Sequence, residues 1–161
     1  MKKLVIQTQY LENYAWNEDG SLGTGVDAYW KPKGGSTYVM PNCGDADLSK
    51  IEDLVRPLIC VCNDVSREYI ISSEIVDHNE KVCEDWETVT QFRPMEDGSV
   101  YFMKVTDNRE DGWMRSEILE KIETWSNDRE NYKAEYLMED GDFCHSDAEL
   151  REWFDLQNEV A

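Results

Sequence analysis

Carboxylates are the residues of this chain whose number and spacing suggest a chemical role. The sequence holds 35 Asp and Glu residues against 16 Lys and Arg, for a net charge of −19. A small domain needs a net charge of only about 2–8 in magnitude for solubility, and the excess repels itself at a cost in stability. Phosphate backbones and anionic membranes are unfavourable partners, because both are bound by cations. The expected partner is a basic protein surface that normally holds nucleic acid, or else metal cations.

The excess charge is concentrated in the last third of the chain. Residues 107–159 contain 17 acids and 6 bases, a net of −11, whereas residues 1–106 have a net of −8. Two series of acids recur at every third residue in segments that we predict to be helices, and two acidic pairs lie in predicted turns. The predicted binding residues are Glu117, Glu120 and Glu123, then Glu149, Glu152 and Asp155, and in the turns Glu96, Asp97, Glu139 and Asp140.

Acids at every third position of a helix stand about 4.5 Å apart along its axis. This is the scale of charge spacing in a nucleic-acid duplex, which carries one charge per about 1.7 Å over both strands. A charge run is more often a solvated helix face, and neighbouring like charges repel by a few tenths of a kcal/mol per pair. We favour a binding surface because the net charge exceeds what solubility requires.

Cysteine and histidine offer a weaker case for a metal site. Cys60 and Cys62, with His78 and Cys83 downstream, lack the spacing of the usual zinc ligands and have no matching second pair. Residues 107–112 resemble a calcium loop but lack its ligand spacing and its terminal Glu. We therefore predict no metal and no cofactor. Five cysteines, with no apolar stretch near the N-terminus to act as a secretory signal, indicate free thiols in a reducing cytoplasm.

No residue pattern indicates a nucleophile with its base. Cys144 and His145 are adjacent, so in a strand their side chains would point to opposite faces. His145 beside Ser146 at a predicted helix start is more simply a surface or capping residue. The chain also has no glycine-rich phosphate loop and no His-Glu-x-x-His motif. We therefore predict that the protein is not an enzyme.

The hydrophobic pattern predicts the elements that carry these acids. Strands are expected at residues 4–10 and 68–77, and hairpins at residues 29–40, 88–106 and 132–145. Helices are expected after Asp45 or Asp47, at residues 116–127, and after Ser146 or Asp147. Pro57 should end or kink the first of these helices. The chain length favours one domain, residues 1–161. We predict an α+β fold, in which an antiparallel sheet of several hairpins carries two to three amphipathic helices on one face.

The predicted hairpins depend on their turns. Gly34-Gly35 supplies the positive φ of a two-residue turn for the first hairpin. Met95-Glu96-Asp97-Gly98 and Met138-Glu139-Asp140-Gly141 form the later two turns, where Asp-Gly favours type I′. A predicted helix follows each of the later two hairpins. The C-terminal half is therefore either a duplicated hairpin–helix unit or a chance repetition of Glu, Asp and Gly, which are common turn residues in an acidic chain.

The N-terminal quarter of the chain resembles a family. Gln7-Thr8-Gln9-Tyr10-Leu11-Glu12-Asn13-Tyr14, followed by Tyr29-Trp30-Lys31 and then by Lys33-Gly34-Gly35-Ser36 and Tyr38, is similar to the opening of small uncharacterised acidic proteins of tailed bacteriophages. The resemblance brings no catalytic residues. It implies a phage origin and action in the cytoplasm of a bacterial host.

Three functions remain open at this stage. The first is an inhibitor that mimics nucleic acid and occupies the cationic groove of a host defence protein, with Trp16, Trp113 and Trp125 as possible interface anchors. The second is a small metal-dependent nuclease or phosphoesterase built on clustered carboxylates, although its own charge would repel a polyanionic substrate. The third is an accessory protein that binds another phage protein. We predict no direct binding to nucleic acid and no membrane association.

Overall fold

The protein is an α+β structure, mostly antiparallel β-sheet with two helices among the residues that the structure describes. The computed structural model describes residues 1–13, 30–60, 62–63, 66–82, 89–108, 114–127 and 129–160. The chain divides into two compact units, Met1–Val89 and Thr90–Ala161. The expectation of a single domain stays a prediction.

The Met1–Val89 unit is built around strand β1 (Lys2–Asn13). Strand β4 (Ser66–Asp77) pairs with one side of β1, and β2 (Trp30–Pro32) and β3 (Thr37–Met40) pair with the other. Leu4, Val5 and Ile6 are consecutive and all buried, which requires cover on both faces of the strand. The strand predicted at residues 4–10 is therefore present, and its pairing on both edges makes it central in this unit. Strand β4 itself pairs only with β1 among the named strands.

The predicted hairpin at residues 29–40 is wrong. Strands β2 and β3 do not pair with each other, because both pair with β1 as one strand interrupted at Gly34-Gly35. Gly34 has a φ of +105°, and a Cβ on Gly35 would lie 1.9 Å from the carbonyl oxygen of Thr8. The two glycines thus form a bulge in which the backbone approaches β1 closely. Consecutive glycines between two strands can therefore mark such a bulge as well as a hairpin turn.

Helix α1 (Leu48–Ile59) begins and ends as its sequence predicts. The Asp47 carboxylate accepts hydrogen bonds from the backbone N–H groups of Ser49 at 3.0 Å and Lys50 at 3.3 Å. These bonds satisfy donors that have no partner within the helix. Pro57 lies in the last turn, and the helix ends two residues later. Val55 and Ile59 form the buried face, and the helix packs on β4.

In the part that the structure describes, the Thr90–Ala161 unit is an antiparallel sheet with one named helix. Its strands pair in chain order, each with the next, and α2 packs on the last two strands. The elements are β5 (Val89–Pro94), β6 (Val100–Asp107), β7 (Ile118–Ser126), β8 (Glu130–Met138), β9 (Phe143–Cys144) and α2 (Asp147–Val160). The two hairpins predicted in this part of the chain are present as β5–β6 and β8–β9, and the last predicted helix is α2. The strand predicted at residues 68–77 is present in the other unit as β4. None of the described helices is long and apolar enough to cross a membrane.

The two acidic turns share a geometry, although it is not type I′. Gly98 donates to the Met95 carbonyl at 3.1 Å, and Gly141 donates to the Met138 carbonyl at 3.0 Å. Only the glycine of each turn has a positive φ, +90° in both, whereas type I′ requires it at both central residues. Each is therefore a type I turn followed by a glycine bulge, the usual solution for a three-residue hairpin loop.

The helix predicted at residues 116–127 is wrong, because this segment is strand β7. Ile118 pairs with Met138 and Glu120 with Leu137, so Leu119 is an extra residue, a β-bulge. The bulge reverses the alternation of faces, and it places Ile118 on the same face as Lys121. A strand that contains a one-residue bulge can therefore have apolar residues at the three- and four-residue spacing of a helix. Pairing with β6 and β8 makes this segment a strand.

Candidate functional site

The exposed acids of helix α2 are the part of the predicted surface that the fold preserves. Glu149, Glu152 and Asp155 are all exposed, while Trp153 between them is buried. Ser146 accepts a hydrogen bond from the Glu149 backbone N–H at 3.2 Å, which starts the helix as predicted. The helix therefore buries one face and presents its carboxylates on the other.

The turn between β8 and β9 lies beside these acids. The indole N–H of Trp153 donates to Asp140 Oδ2 at 3.2 Å, and the backbone N–H of Glu139 donates to the Glu117 carbonyl at 2.8 Å. Helix, turn and the residue before β7 thus meet at one end of the sheet. We call this group the acidic corner: Glu117, Glu139, Asp140, Glu149, Glu152 and Asp155.

Glu96 and Asp97 lie away from the acidic corner. Their turn precedes β6, whereas the turn with Glu139 and Asp140 follows β8. Strands β6 and β8 are both antiparallel to β7 and so run in the same direction. The start of β6 and the end of β8 are therefore at opposite ends of this sheet.

Glu120 and Glu123 do not form a stripe. No bulge separates them in β7, and residues three apart in a regular strand point to opposite faces. The Glu123 side chain is only 14% exposed, with Lys121 Nζ at 3.8 Å and Arg129 Nη1 at 3.7 Å. The hydroxyl of Tyr132 also donates to it at 3.1 Å. Glu123 is thus an internal counter-ion of the sheet.

The acids of the corner differ in how much of their charge is already engaged. Asp140 accepts from Trp153 and from the Asp142 backbone, and Glu149 accepts from the His145 backbone. Glu117 lies 3.4 Å from Arg115, whose guanidinium stacks on Phe154. Three carboxylates of the corner have no ion pair and no side-chain hydrogen bond within the described residues. They are Glu139, Glu152 and Asp155.

A buried tyrosine joins the sheet to the start of α2. Tyr136 is 9% exposed, and its hydroxyl donates to Asp147 Oδ1 at 2.9 Å. Burial, and then this carboxylate, raise the pKa of Tyr136 from 10.0 to about 12. Ionisation of the phenol would place two negative charges together, so the bond holds Tyr136 neutral.

This shift makes stability depend on pH at the alkaline end. Between pH 10 and about 12 the folded state keeps a proton that an unfolded tyrosine has lost, so stability should fall as pH rises. Tyr136→Phe should flatten that part of the profile, whatever its effect at neutral pH. Urea denaturation from about pH 9 to about pH 12 measures the slope. An unchanged slope in the variant would show that another group causes the loss.

The remaining predicted features have mixed outcomes. Trp125 is buried and stacks on Phe102 with ring centroids 5.5 Å apart, so it belongs to the core and is not an interface anchor. Trp16, Trp113, Cys83 and most of residues 107–112 lie outside the described residues. Among those described, no three His, Cys, Asp or Glu side chains are grouped to hold a metal ion. His145 Nδ1 contacts Glu135 Oε2 at 2.6 Å, and this hydrogen bond lowers the pKa of Glu135.

The sequence reasoning missed a cleft in the other unit. It has a volume of about 250 Å³ and lies beside the bulge at Gly34-Gly35, where the Gly34 carbonyl still accepts from the Tyr10 N–H of β1 at 2.7 Å. Gln7, Gln9, Ser36 and Ile71 are among the residues that line it. The glycine pair was the available signal, since consecutive glycines within a strand also mark a place with no side chains to fill it.

Comparisons with known proteins add no family to this geometry. No protein-family model, no curated protein and no solved structure matches the chain.

Proposed function

We propose that the protein is a phage-encoded inhibitor that mimics nucleic acid and binds the cationic groove of a host defence protein through its acidic corner. The observation that carries the proposal is the position of Glu139, Glu152 and Asp155. They come from two elements, a turn and a helix, that the Trp153–Asp140 hydrogen bond holds together. Their carboxylates are exposed and unengaged within the described residues, as a charge-presenting surface requires.

Placement on a rigid scaffold supports the proposal further. The turn is fixed by its own hydrogen bonds, and α2 packs on the sheet through Trp153. The backbone that carries these charges therefore loses little conformational entropy on binding, and the cost is limited to ordering the side chains. With a net charge of −19, association with a basic partner would also be steered over long range and weakened by salt. The proposed site of action is the cytoplasm of a bacterial host.

Two alternatives stay open beside it. A metal-dependent nuclease would need grouped carboxylates, and the described residues contain no such group. An accessory protein that binds another phage protein could use the same surface, and the identity of the captured partner distinguishes it from an inhibitor.

Charge reversal tests the proposal. The protein is used to capture partners from bacterial lysate, and affinity is then measured with the purified partner. Glu139→Lys, Glu152→Lys and Asp155→Lys together should weaken binding at least tenfold, since each adds repulsion where attraction was present. Affinity of the unaltered protein should also fall steeply between low and physiological salt.

The matched control changes net charge equally at other exposed positions. Asp45→Lys, Glu74→Lys and Glu96→Lys alter two Glu and one Asp, as the test variant does, and they lie outside the acidic corner. Binding should survive in this control. Equal loss in both variants would mean that only total charge matters, and unchanged binding in both would reduce the acidic corner to a solubility feature.

A further inference from the structure

The cleft over β1 is a site that the proposed function does not use. The described residues that line it all belong to the Met1–Val89 unit, where two irregularities face each other across β1. On one side Gly34-Gly35 interrupt the strand. On the other, Gln7 pairs with Ser72 and Thr8 with Ile70, so Ile71 is an extra residue, a β-bulge. Bulges of this kind re-aim side chains and occur beside binding sites.

Two glutamines in the cleft each use one group of the side-chain amide in a hydrogen bond and leave the other group without a partner among the described residues. Gln7 donates its amide N–H to the Val82 carbonyl at 2.8 Å, which leaves its oxygen as an acceptor. Gln9 accepts from the Tyr69 hydroxyl at 3.1 Å, which leaves its NH₂ as a donor. Within the described residues neither free end has a partner. The cleft therefore presents one fixed acceptor and one fixed donor.

The lining restricts the charge of a ligand. Among the residues that the structure describes, no Asp, Glu, Lys or Arg lines the cleft, and the nearby Glu68 carboxylate already accepts the Thr8 hydroxyl at 2.6 Å. A cation would find no free carboxylate, and an anion would meet a protein of charge −19. The chemistry of the lining fits a neutral molecule.

The size and shape restrict it further. Drug-sized ligands occupy pockets of about 300–1,000 Å³, so a cleft of about 250 Å³ suits a smaller molecule. Gln7 and Gln9 share one face of β1, about 7 Å apart, a span that one sugar ring with its hydroxyls can bridge. Each hydroxyl both donates and accepts. Pro32 and Ile71 supply apolar walls, and the half-exposed ring of Tyr69 stands beside Gln9.

We propose that this cleft binds a neutral sugar, of monosaccharide size, whose hydroxyls bond to Gln7 Oε1 and Gln9 Nε2. A single small sugar held by few polar contacts binds weakly, with a Kd on the order of 1 mM. Because the ligand is uncharged, its binding does not depend on salt, in contrast to the partner of the acidic corner.

The test is NMR titration of ¹⁵N-labelled protein with the methyl glycosides of glucose, galactose and mannose, and separately with inorganic phosphate. At least one glycoside should shift the side-chain amide signals of Gln7 and Gln9, at low and at high salt alike, and phosphate should not. No shift with any glycoside overturns the proposal, as does a phosphate shift at these amides that exceeds the glycoside shifts.

The variants separate this site from a general surface effect. Gln9→Glu keeps the acceptor for Tyr69 but removes the free donor, and should weaken glycoside binding at least tenfold. Gln91→Glu, at an exposed position of β5, makes the same charge change and should leave binding intact. Ile71→Ala removes an apolar wall at a side chain that is 55% exposed, so folding is retained while binding weakens. Unchanged binding in Gln9→Glu would also overturn the assignment.

Discussion

Gly35→Ala should destabilise the protein by about 3 kcal/mol or more, at the upper end of the cost of overpacking. The added Cβ would lie 1.9 Å from the Thr8 carbonyl oxygen and 2.9 Å from its carbon. Both are backbone atoms of the central strand β1, so no side chain can rotate away. Relief requires β1 and the segment between β2 and β3 to separate. Urea denaturation measured by far-UV circular dichroism gives the change in the free energy of unfolding.

Gly34→Ala is the matched control. A Cβ at Gly34 meets no atom within 4 Å, so the cost is limited to holding alanine at a φ of +105°, about 1–3 kcal/mol. Gly35 has no such conformational restriction, and its cost is steric alone. If Gly35→Ala proved less destabilising than Gly34→Ala, the close approach to Thr8 would not exist in solution.

Asn108→Asp should cost on the order of 4 kcal/mol at neutral pH, more than Asn108→Ala. Asn108 is only 6% exposed. Its NH₂ donates to the carbonyls of Ile118 at 2.8 Å, Arg115 at 3.0 Å and Met114 at 3.4 Å, and its oxygen accepts from the Met114 N–H at 2.9 Å. A carboxylate there would turn one charged oxygen toward three carbonyl oxygens, and the Met114 N–H would remain as a donor to the other oxygen only.

The comparison with alanine isolates the charge. Asn108→Ala loses the same hydrogen bonds without adding a charge and should cost about 1–3 kcal/mol. Protonation of the introduced carboxyl restores a donor, so the stability gap between the Asp and Ala variants should narrow as pH falls. Denaturation of both variants over the same acid range measures that gap. A gap that does not change with pH would contradict the orientation of the Asn108 amide.

The sequence predicted elements whose signals are local. Asp47 at the start of α1 and Ser146 at the start of α2 act within one helical turn, so a short stretch of sequence specifies them. The helix prediction at residues 116–127 is wrong because the Leu119 bulge depends on pairing with β8. A local sequence pattern does not contain information about that pairing. The predicted Gly34-Gly35 hairpin turn is wrong for a similar reason, since the close approach of Gly35 to Thr8 depends on a strand that lies far away in the sequence.

The sequence predicted that the candidate site is rich in carboxylates, but it did not predict which carboxylates are exposed. An acid count shows that carboxylates are in excess, but it does not distinguish Glu123, which is enclosed by Lys121 and Arg129, from Glu152, which is exposed. That distinction depends on strand parity and on cross-strand neighbours. The predicted stripe of Glu117, Glu120 and Glu123 is therefore absent, because Glu117 precedes β7 and Glu120 and Glu123 point to opposite faces of it. The predicted stripe of Glu149, Glu152 and Asp155 in α2 is exposed.

Strand β4 gives the charge excess a second consequence. It pairs only with β1 among the named strands, apart from an isolated bridge between Cys62 and Arg67, and beyond that bridge it carries exposed Tyr69, Ile71 and Ile75. The rest of its outer edge resembles a template for amyloid-like growth. At neutral pH the charge of −19 keeps molecules apart. Near the isoelectric point of about 4.3 that protection disappears. Acidification should therefore produce fibrils that bind thioflavin, with β4 in their spine.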